Sequence, residues 1–244
     1  MIPVHKKGKN KTKAESYRPI SLTSCVGKVM ERPINTRLMW HLGGKQHISP
    51  EQAAFRQDRS TEDQVTYIAQ AIEDAFQDKR HILVVSIDLE TTFDKVWREG
   101  LKLKMRQCGI AGRMFKWISR YLHSRKARAQ IKHHQNRKQV SRHGIPQGGV
   151  LSPTLFLIFI KDIIDKLPKN VQGAIYAADL VLWCSEEYVP TADYRLQLAL
   201  QVMETRTRSW LVKINEKENN LHHILTLYPT TQGQTPNQLS RTAR

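Results

Sequence analysis

Two carboxylates stand where short apolar strands end. Asp88 closes the run Ile82-Leu83-Val84-Val85-Ser86-Ile87, a continuous stretch of buried-strand character. Asp179 lies within Ala174-Ile175-Tyr176-Ala177-Ala178-Asp179-Leu180-Val181-Leu182-Trp183, which reads as two short strands bent around an exposed acidic turn. A buried strand that delivers one acid at its end, beside a hairpin that carries another at its tip, holds oxygens in fixed places around divalent metal. Two-metal phosphoryl transfer needs that arrangement.

The charge of the chain points to a polyanion. In 244 residues, 39 Lys and Arg against 22 Asp and Glu give a net charge of +17, and each phosphate neutralised by such a surface releases a counterion. The length suits one large domain or two small lobes. Cys25, Cys108 and Cys184 are odd in number and form no metal-spaced pair or evident disulfide framework. They read as reduced residues of an intracellular protein of the nucleus or cytoplasm. No apolar run approaches the roughly 20 residues of a membrane span, and the start Met1-Ile2-Pro3-Val4-His5-Lys6-Lys7 lacks the apolar core of a secretory signal.

Around the acids the chain alternates helical and extended patterns. Val26, Val29, Met30, Ile34 and Leu38 recur at helical spacing, interrupted by Pro33, where either two helices meet or a damaging substitution sits. Gly43-Gly44 breaks the pattern. Thr61, with Gln64 at the third position, is placed to cap a helix whose buried stripe is Val65, Ile68, Ala69, Ile72 and Phe76. Leu101, Met105 and Cys108 mark one further helix, and Met114, Phe115, Ile118, Tyr121 and Leu122 another. Residues 125 to 142 alternate basic with small or apolar side chains, which predicts a hairpin turning near Gln135-Asn136 with a face suited to sugar-phosphate contact. Gly144-Ile145-Pro146-Gln147-Gly148-Gly149 is a loop, and Ser152-Pro153 opens a helix with a cap and a first-turn proline. Leu196, Ala199, Leu200, Met203, Thr207 and Trp210 trace a long helix, followed by a strand at Val212 and Ile214.

The Asp88 strand with Thr92-Phe93-Asp94, the loop from Gly144 to Pro153, and Tyr176-Ala177-Ala178-Asp179 fall in the order and spacing of the reverse transcriptases of non-LTR (LINE-type) retrotransposons, which this chain resembles. The likeness extends to Tyr17-Arg18-Pro19-Ile20-Ser21-Leu22 and to Glu51-Gln52 through Phe55-Arg56 and Arg59-Ser60-Thr61-Glu62, so it spans residues 1 to about 220. It implies an α+β polymerase fold: fingers over residues 1–80, a palm over 81–220 built on a small antiparallel sheet backed by helices, and a polar tail at 221–244 with no thumb.

The resemblance also implies RNA-directed DNA polymerase activity on an RNA template and DNA primer with deoxynucleoside triphosphates and two Mg2+ ions, and no membrane partner. Asp88 and Asp179 would be the catalytic carboxylates, and Asp88, the Leu89 carbonyl and Asp179 the metal ligands. Arg18, with Lys6 or Lys7, would hold the triphosphate. Phe93 would gate against a ribose 2'-hydroxyl, Thr92 would line the 3'-hydroxyl pocket, and Gln147 would lie against the incoming nucleotide. Arg56, Arg59, Arg125, Arg128 and Lys132 would contact nucleic acid. The family's hairpin reads Tyr-Ala-Asp-Asp, whereas this chain has Ala178 in place of the first aspartate; Asp179 is expected to face the other side of the turn. Ala54 replaces a glycine, and Glu218 and Asn219 stand where a lysine-threonine pair is usual. These departures imply a fold and nucleic-acid surface that persist while polymerisation is severely reduced. The rival reading is a non-catalytic nucleic-acid-binding remnant of a mobile element.

Overall fold

A computed structural model describes residues 1–44, 47–89, 93–123, 125–131, 134–141, 143–165, 167–214 and 225–227. In chain order the first elements are β1 (Ile2–His5), β2 (Tyr17–Ile20), α1 (Cys25–Gly44), α2 (Thr61–Gln77), β3 (His81–Asp88), α3 (Arg98–Gln107) and α4 (Gly112–Leu122). The short strands β4 (Lys126–Ala127), β5 (Gln130–Ile131), β6 (His134–Gln135) and β7 (Gln139–Val140) follow. Then come α5 (Ser152–Ile160), β8 (Val171–Tyr176), β9 (Asp179–Glu186), α6 (Val189–Ser209) and β10 (Leu225–Leu227). The fold is α+β, as the motif order implied. The chain divides into two compact units, one of residues 1–48 with 91–160 and one of residues 49–90 with 161–244.

The second unit is organised by an antiparallel sheet of strand order β10-β3-β9-β8. Successive strand residues point to opposite faces. On one face Ile82, Val84, Ala174 and Trp183 pack with Ala75 and with Ile68, Ala71, Ile72 and Phe76 of α2. The other face presents Leu83, Val85, Leu182 and Cys184, all buried. Helix α6 packs on the sheet, and its Ala192, Leu196, Ala199 and Met203 are buried. Each large apolar side chain so buried contributes about 1.5–3 kcal/mol. Helix α2 begins one residue earlier than its sequence suggests. Ser60, not Thr61, is the cap: its hydroxyl accepts the Asp63 amide at 3.2 Å, and the Asp63 carboxylate accepts the Ser60 amide at 2.7 Å. The buried stripe is correspondingly Gln64, Ile68, Ala71, Ile72, Ala75 and Phe76, while Val65 and Ala69 face outward.

The first unit is built around α5, whose residues are apolar on every side and buried throughout Thr154–Ile160. A helix hydrophobic all round belongs inside a core. Helices α1 and α3 pack on it. From α3, Lys104 is fully buried and donates from Nζ to the Phe159 carbonyl at 2.5 Å, so a cation meets the carbonyl end of α5. Helix α1 runs unbroken through Pro33. Its buried residues are Glu31, Leu38 and Leu42, whereas Val26, Val29 and Met30 are exposed, so the expected stripe is displaced around the helix.

The basic hairpin forms, but its register pairs Gln130 with Gln135 and Ile131 with His134. Gln135 is therefore a paired strand residue and not a turn residue, and Asn136 closes a loop through its amide oxygen, which accepts the Ala129 N–H at 2.7 Å. Ser152 does not cap α5 by accepting an amide; its hydroxyl donates to the Pro146 carbonyl at 2.7 Å. At Ile214 there is a single bridge to Leu89 rather than a strand. Leu225–Leu227, expected in a polar tail, adds to the edge of the sheet beside β3. Lys217, Glu218 and Asn219 lie outside the described residues.

Candidate active site

The β3–β9 ladder runs from His81 opposite Glu186 to Asp88 opposite Asp179, without a slip. Directly opposed residues of an antiparallel pair share a face, with Cβ atoms about 4.5–5.5 Å apart. Asp88 and Asp179 therefore present their carboxylates side by side, on the face that Ile82, Val84 and Trp183 bury against α2 further along. Asp179 had been expected to turn away. Instead, Ala177 and Ala178 take up the reversal and leave Asp179 as the first residue of β9, opposite both Asp88 and Tyr176. The row across the sheet is Asp88, Asp179, Tyr176: a half-buried carboxylate, an exposed one and an exposed phenol.

Shielding by its surroundings, and then the negative charge of Asp88, raise the pKa of Asp179 above the ordinary carboxylate range. A divalent cation would relieve that repulsion, so the pair has the chemistry of a metal ligand set. The Leu89 amide donates to the Ala178 carbonyl at 3.1 Å, which ties the end of β3 to the turn. At 178 itself there is only a methyl group. Among the described residues no cluster of three or more His, Cys, Asp or Glu side chains is placed to hold a metal. The residues present fit one cation on two carboxylates, not the full set that two ions require.

In the first unit, hydrogen bonds join the segments that carry Arg18, Phe93 and Gln147. The Gln147 carbonyl accepts the Ser21 amide at 2.7 Å, and the Phe93 carbonyl accepts the Ile145 amide at 2.8 Å. Phe93 stacks on Phe156 with centroids 5.0 Å apart, while Arg18 is exposed on β2 opposite Val4. Thr92 and Lys132 lie outside the described residues. Arg125 and Arg128 line a cavity of about 840 Å3 with Lys126, Lys138 and Arg98. Arg125 also sits over the Tyr121 ring at 4.8 Å. In the second unit, Arg56 donates from Nη1 to the Ser49 and Gln52 carbonyls at 3.2 and 3.1 Å. Burial and the charge of Arg59 lower its pKa; Arg59 is exposed.

Three residues that organise these segments were given no site role from the sequence. Glu31, 3 % exposed, accepts the Val150 and Leu151 amides at 2.6 and 3.0 Å, so it supplies the anionic cap at the start of α5 and fixes the loop that bears Gln147. Arg98 donates to the Gly144, Ser141 and His143 carbonyls at 2.7, 2.7 and 2.9 Å, fastening the base of the hairpin. Gln52 reaches the turn of the β8–β9 hairpin. The available signal was an acid, Glu31, seven residues before the buried Leu38, on the same side of a helix.

The family model for reverse transcriptase (RNA-dependent DNA polymerase) matches residues 4–225. The chain belongs to the reverse transcriptase family. It is 32 % identical over 241 residues to a probable RNA-directed DNA polymerase from transposon BS of Drosophila melanogaster, covering 95 % of this chain and 26 % of that protein. It is 28 % identical to the RNA-directed DNA polymerase from mobile element jockey of the same species, covering 89 % of this chain and 24 % of that one. The chain thus spans about a quarter of the length of these relatives, and it is a reverse transcriptase domain of the non-LTR retrotransposon kind. The fold is similar to that of apo telomerase from Candida tropicalis, with a TM-score of 0.59 at 11 % identity over 86 % of this chain and 42 % of that one. No helix among the described residues is long and apolar enough to cross a membrane.

Proposed function

We propose that this reverse transcriptase domain binds an RNA template and a DNA primer and retains the framework of RNA-directed DNA synthesis from deoxynucleoside triphosphates, with polymerisation severely reduced. The observation that carries the reading is the register pairing of Asp88 with Asp179. Asp88, Asp179 and the Leu89 carbonyl would hold one Mg2+, which when bound would neutralise charge on the transferring phosphate. Arg18 meets triphosphate oxygens with its planar fork. Phe93, braced on Phe156, crowds the sugar; Thr92 lines the 3'-hydroxyl side; and Gln147, held by Ser21 and by Glu31 through the loop, lies against the base. Arg56, Arg59, Arg125, Arg128 and Lys132 contact sugar-phosphate backbone. Residues 1–80 act as fingers and 81–220 as palm, in an intracellular setting.

A second reading, nucleic-acid binding without turnover, is favoured by the methyl group at Ala178. Primer extension with Mg2+ separates the two. The unaltered chain should incorporate nucleotides about 10²-fold or more slowly than Ala178→Asp, the scale on which a single electrostatic group at a reacting centre acts. Equal rates would overturn the assignment of impairment. An inactive Ala178→Asp chain that still binds RNA would favour the non-catalytic reading.

A further inference from the structure

Gln52 is 2 % exposed and lies beside the hairpin that carries Asp179. The segment around it is joined to β8 by an isolated parallel bridge. Gln52 bridges to Ile175, the Ala53 amide donates to the Ile175 carbonyl at 3.0 Å, and the Ile175 amide donates to the Glu51 carbonyl at 2.9 Å. With its backbone so fixed, the Gln52 side chain reaches along the hairpin to its turn. Oε1 accepts the Ala177 amide at 3.2 Å and the Ala54 amide at 2.9 Å.

Ala177 is the first turn residue and has φ +57°, a conformation that a side chain with Cβ adopts reluctantly. Such a turn persists where surrounding bonds over-determine it. Among the described residues, the Gln52 bond is the one that reaches the turn amide from outside the hairpin. Its Nε2 is buried with no hydrogen-bond partner among the described residues. Leaving an amide donor unsatisfied in the interior is unfavourable, and an apolar side chain at this place would avoid it. The position is therefore occupied for what Oε1 does.

We infer that Gln52 is a positioning residue: by accepting the Ala177 amide it sets the tip of the β8–β9 hairpin, and so holds Asp179 in register with Asp88. The inference rests on the reading of those two carboxylates as the reacting pair. Gln52 touches no substrate and acts through the turn. A glutamate retains the acceptor at the same reach, whereas asparagine, one methylene shorter, cannot span the gap.

The test is amide hydrogen exchange by NMR on the full chain, paired with kinetics in the Ala178→Asp background. In the unaltered chain the Ala177 amide should exchange at least about tenfold more slowly than an open turn amide. Gln52→Asn should abolish that protection while Leu182 and Trp183, inside β9, keep theirs, and Gln52→Glu should retain it. With Ala178→Asp restored, Gln52→Asn should lower kcat about tenfold and leave KM for the nucleotide within about twofold, since reacting groups rather than binding contacts are displaced. An unprotected Ala177 amide in the unaltered chain overturns the inference, and so does unchanged protection or kcat in Gln52→Asn. The exchange measurement on the unaltered chain stands even if Gln52→Asn fails to fold. If Ala178→Asp shows no synthesis, it is the polymerase reading that fails, while exchange still decides the role of Gln52.

Discussion

Asp88 stands directly opposite Asp179 across the β3–β9 ladder, so two like charges share one face at the uncovered end of a sheet whose remaining length is packed. Shielding and the Asp88 charge both raise the Asp179 pKa. Below that raised value Asp179 carries a proton and is a poor metal ligand, so Mn2+ affinity should climb as pH rises through it. Asp88→Asn removes one of the two causes and should bring the Asp179 titration part of the way back toward the ordinary value near 3.9. Carboxyl-carbon NMR titration reads this directly; an unmoved Asp179 curve in Asp88→Asn would show that the two groups do not sense one another.

The same raised pKa makes a statement about stability. Between the unfolded and folded pKa of Asp179 the native chain binds more protons than the unfolded one, so stability falls as pH rises through that window. Asp179→Asn removes the charge and should leave the metal-free chain slightly more stable at neutral pH, by less than about 1 kcal/mol because the group is exposed, with no gain well below the window. Urea denaturation with 1 mM EDTA at both pH values measures it, and destabilisation at neutral pH would contradict the electrostatic account.

How much of this was legible beforehand depends on the range over which each signal acts. Apolar runs carry local information, so β3, the β8–β9 hairpin, α3, α4 and α5 were readable, and the spacing of the two acids placed them at strand ends. What depends on distant partners was not. Glu31 meets Val150 and Leu151 about 120 positions away, and nothing local distinguishes it from a surface glutamate. The start of α2 moved by one residue because Ser60 and Asp63 satisfy each other's amides, a box as well formed as the Thr61–Gln64 alternative looks in letters. Pro33 looked like a break because its cost is local, whereas the packing that carries α1 past it is not. The closing strand β10 lies in a stretch with no apolar run long enough to announce it.

Glu31 should matter more than any exposed acid of the first unit. Glu31→Ala leaves the Val150 and Leu151 amides without their acceptor, and at about 1.5–3 kcal/mol for a hydrogen bond to a charged group the loss should be about 3 kcal/mol or more. Glu31→Gln keeps an acceptor and should cost about half as much. The Tyr121 hydroxyl is the reporter. Burial first and the Glu31 charge second push its pKa up to about 12, so Glu31→Gln should lower it. Because the unfolded phenol ionises near 10 while the native one does not, stability should decline as pH rises from 10 toward 12. Absorbance at 295 nm follows the phenolate; a Tyr121 transition unchanged by Glu31→Gln would refute the coupling.

Arg98 fastens three consecutive parts of the hairpin base with one guanidinium, and its side chain is almost wholly buried. Arg98→Lys keeps the charge but has no planar fork to reach Ser141, His143 and Gly144 together. Both Arg98→Lys and Arg98→Ala should therefore free the 125–143 segment, and the alanine variant should cost about 3–5 kcal/mol through buried carbonyls left unpaired. Limited trypsin digestion should then cut first at Arg125, Lys126 or Arg128, with Lys104 and Arg106 of α3 cleaved later. Digestion beginning elsewhere in Arg98→Lys would mean that the hairpin does not depend on this residue.

Gly144 and Gly43 make opposite predictions from the same substitution. Gly144 begins the loop that presents Gln147; it has φ +77°, and an added Cβ would lie 2.4 Å from the Asp94 carbonyl oxygen. Neither the dihedral nor the contact can relax without moving backbone on both sides, because the Gly144 amide is itself bonded to the Val96 carbonyl at 2.9 Å and its carbonyl to Arg98. Strain of about 1–3 kcal/mol from the backbone and a similar amount from overpacking should make Gly144→Ala destabilising by about 2–5 kcal/mol. Gly43, near the end of α1, meets nothing within 4 Å of an added Cβ, so Gly43→Ala should stabilise by up to about 1 kcal/mol through reduced freedom of the unfolded chain. Paired thermal melts check both signs at once, and a Gly144→Ala chain as stable as the unaltered one would mean that the loop does not hold the close approach to Asp94 on which the placement of Gln147 depends.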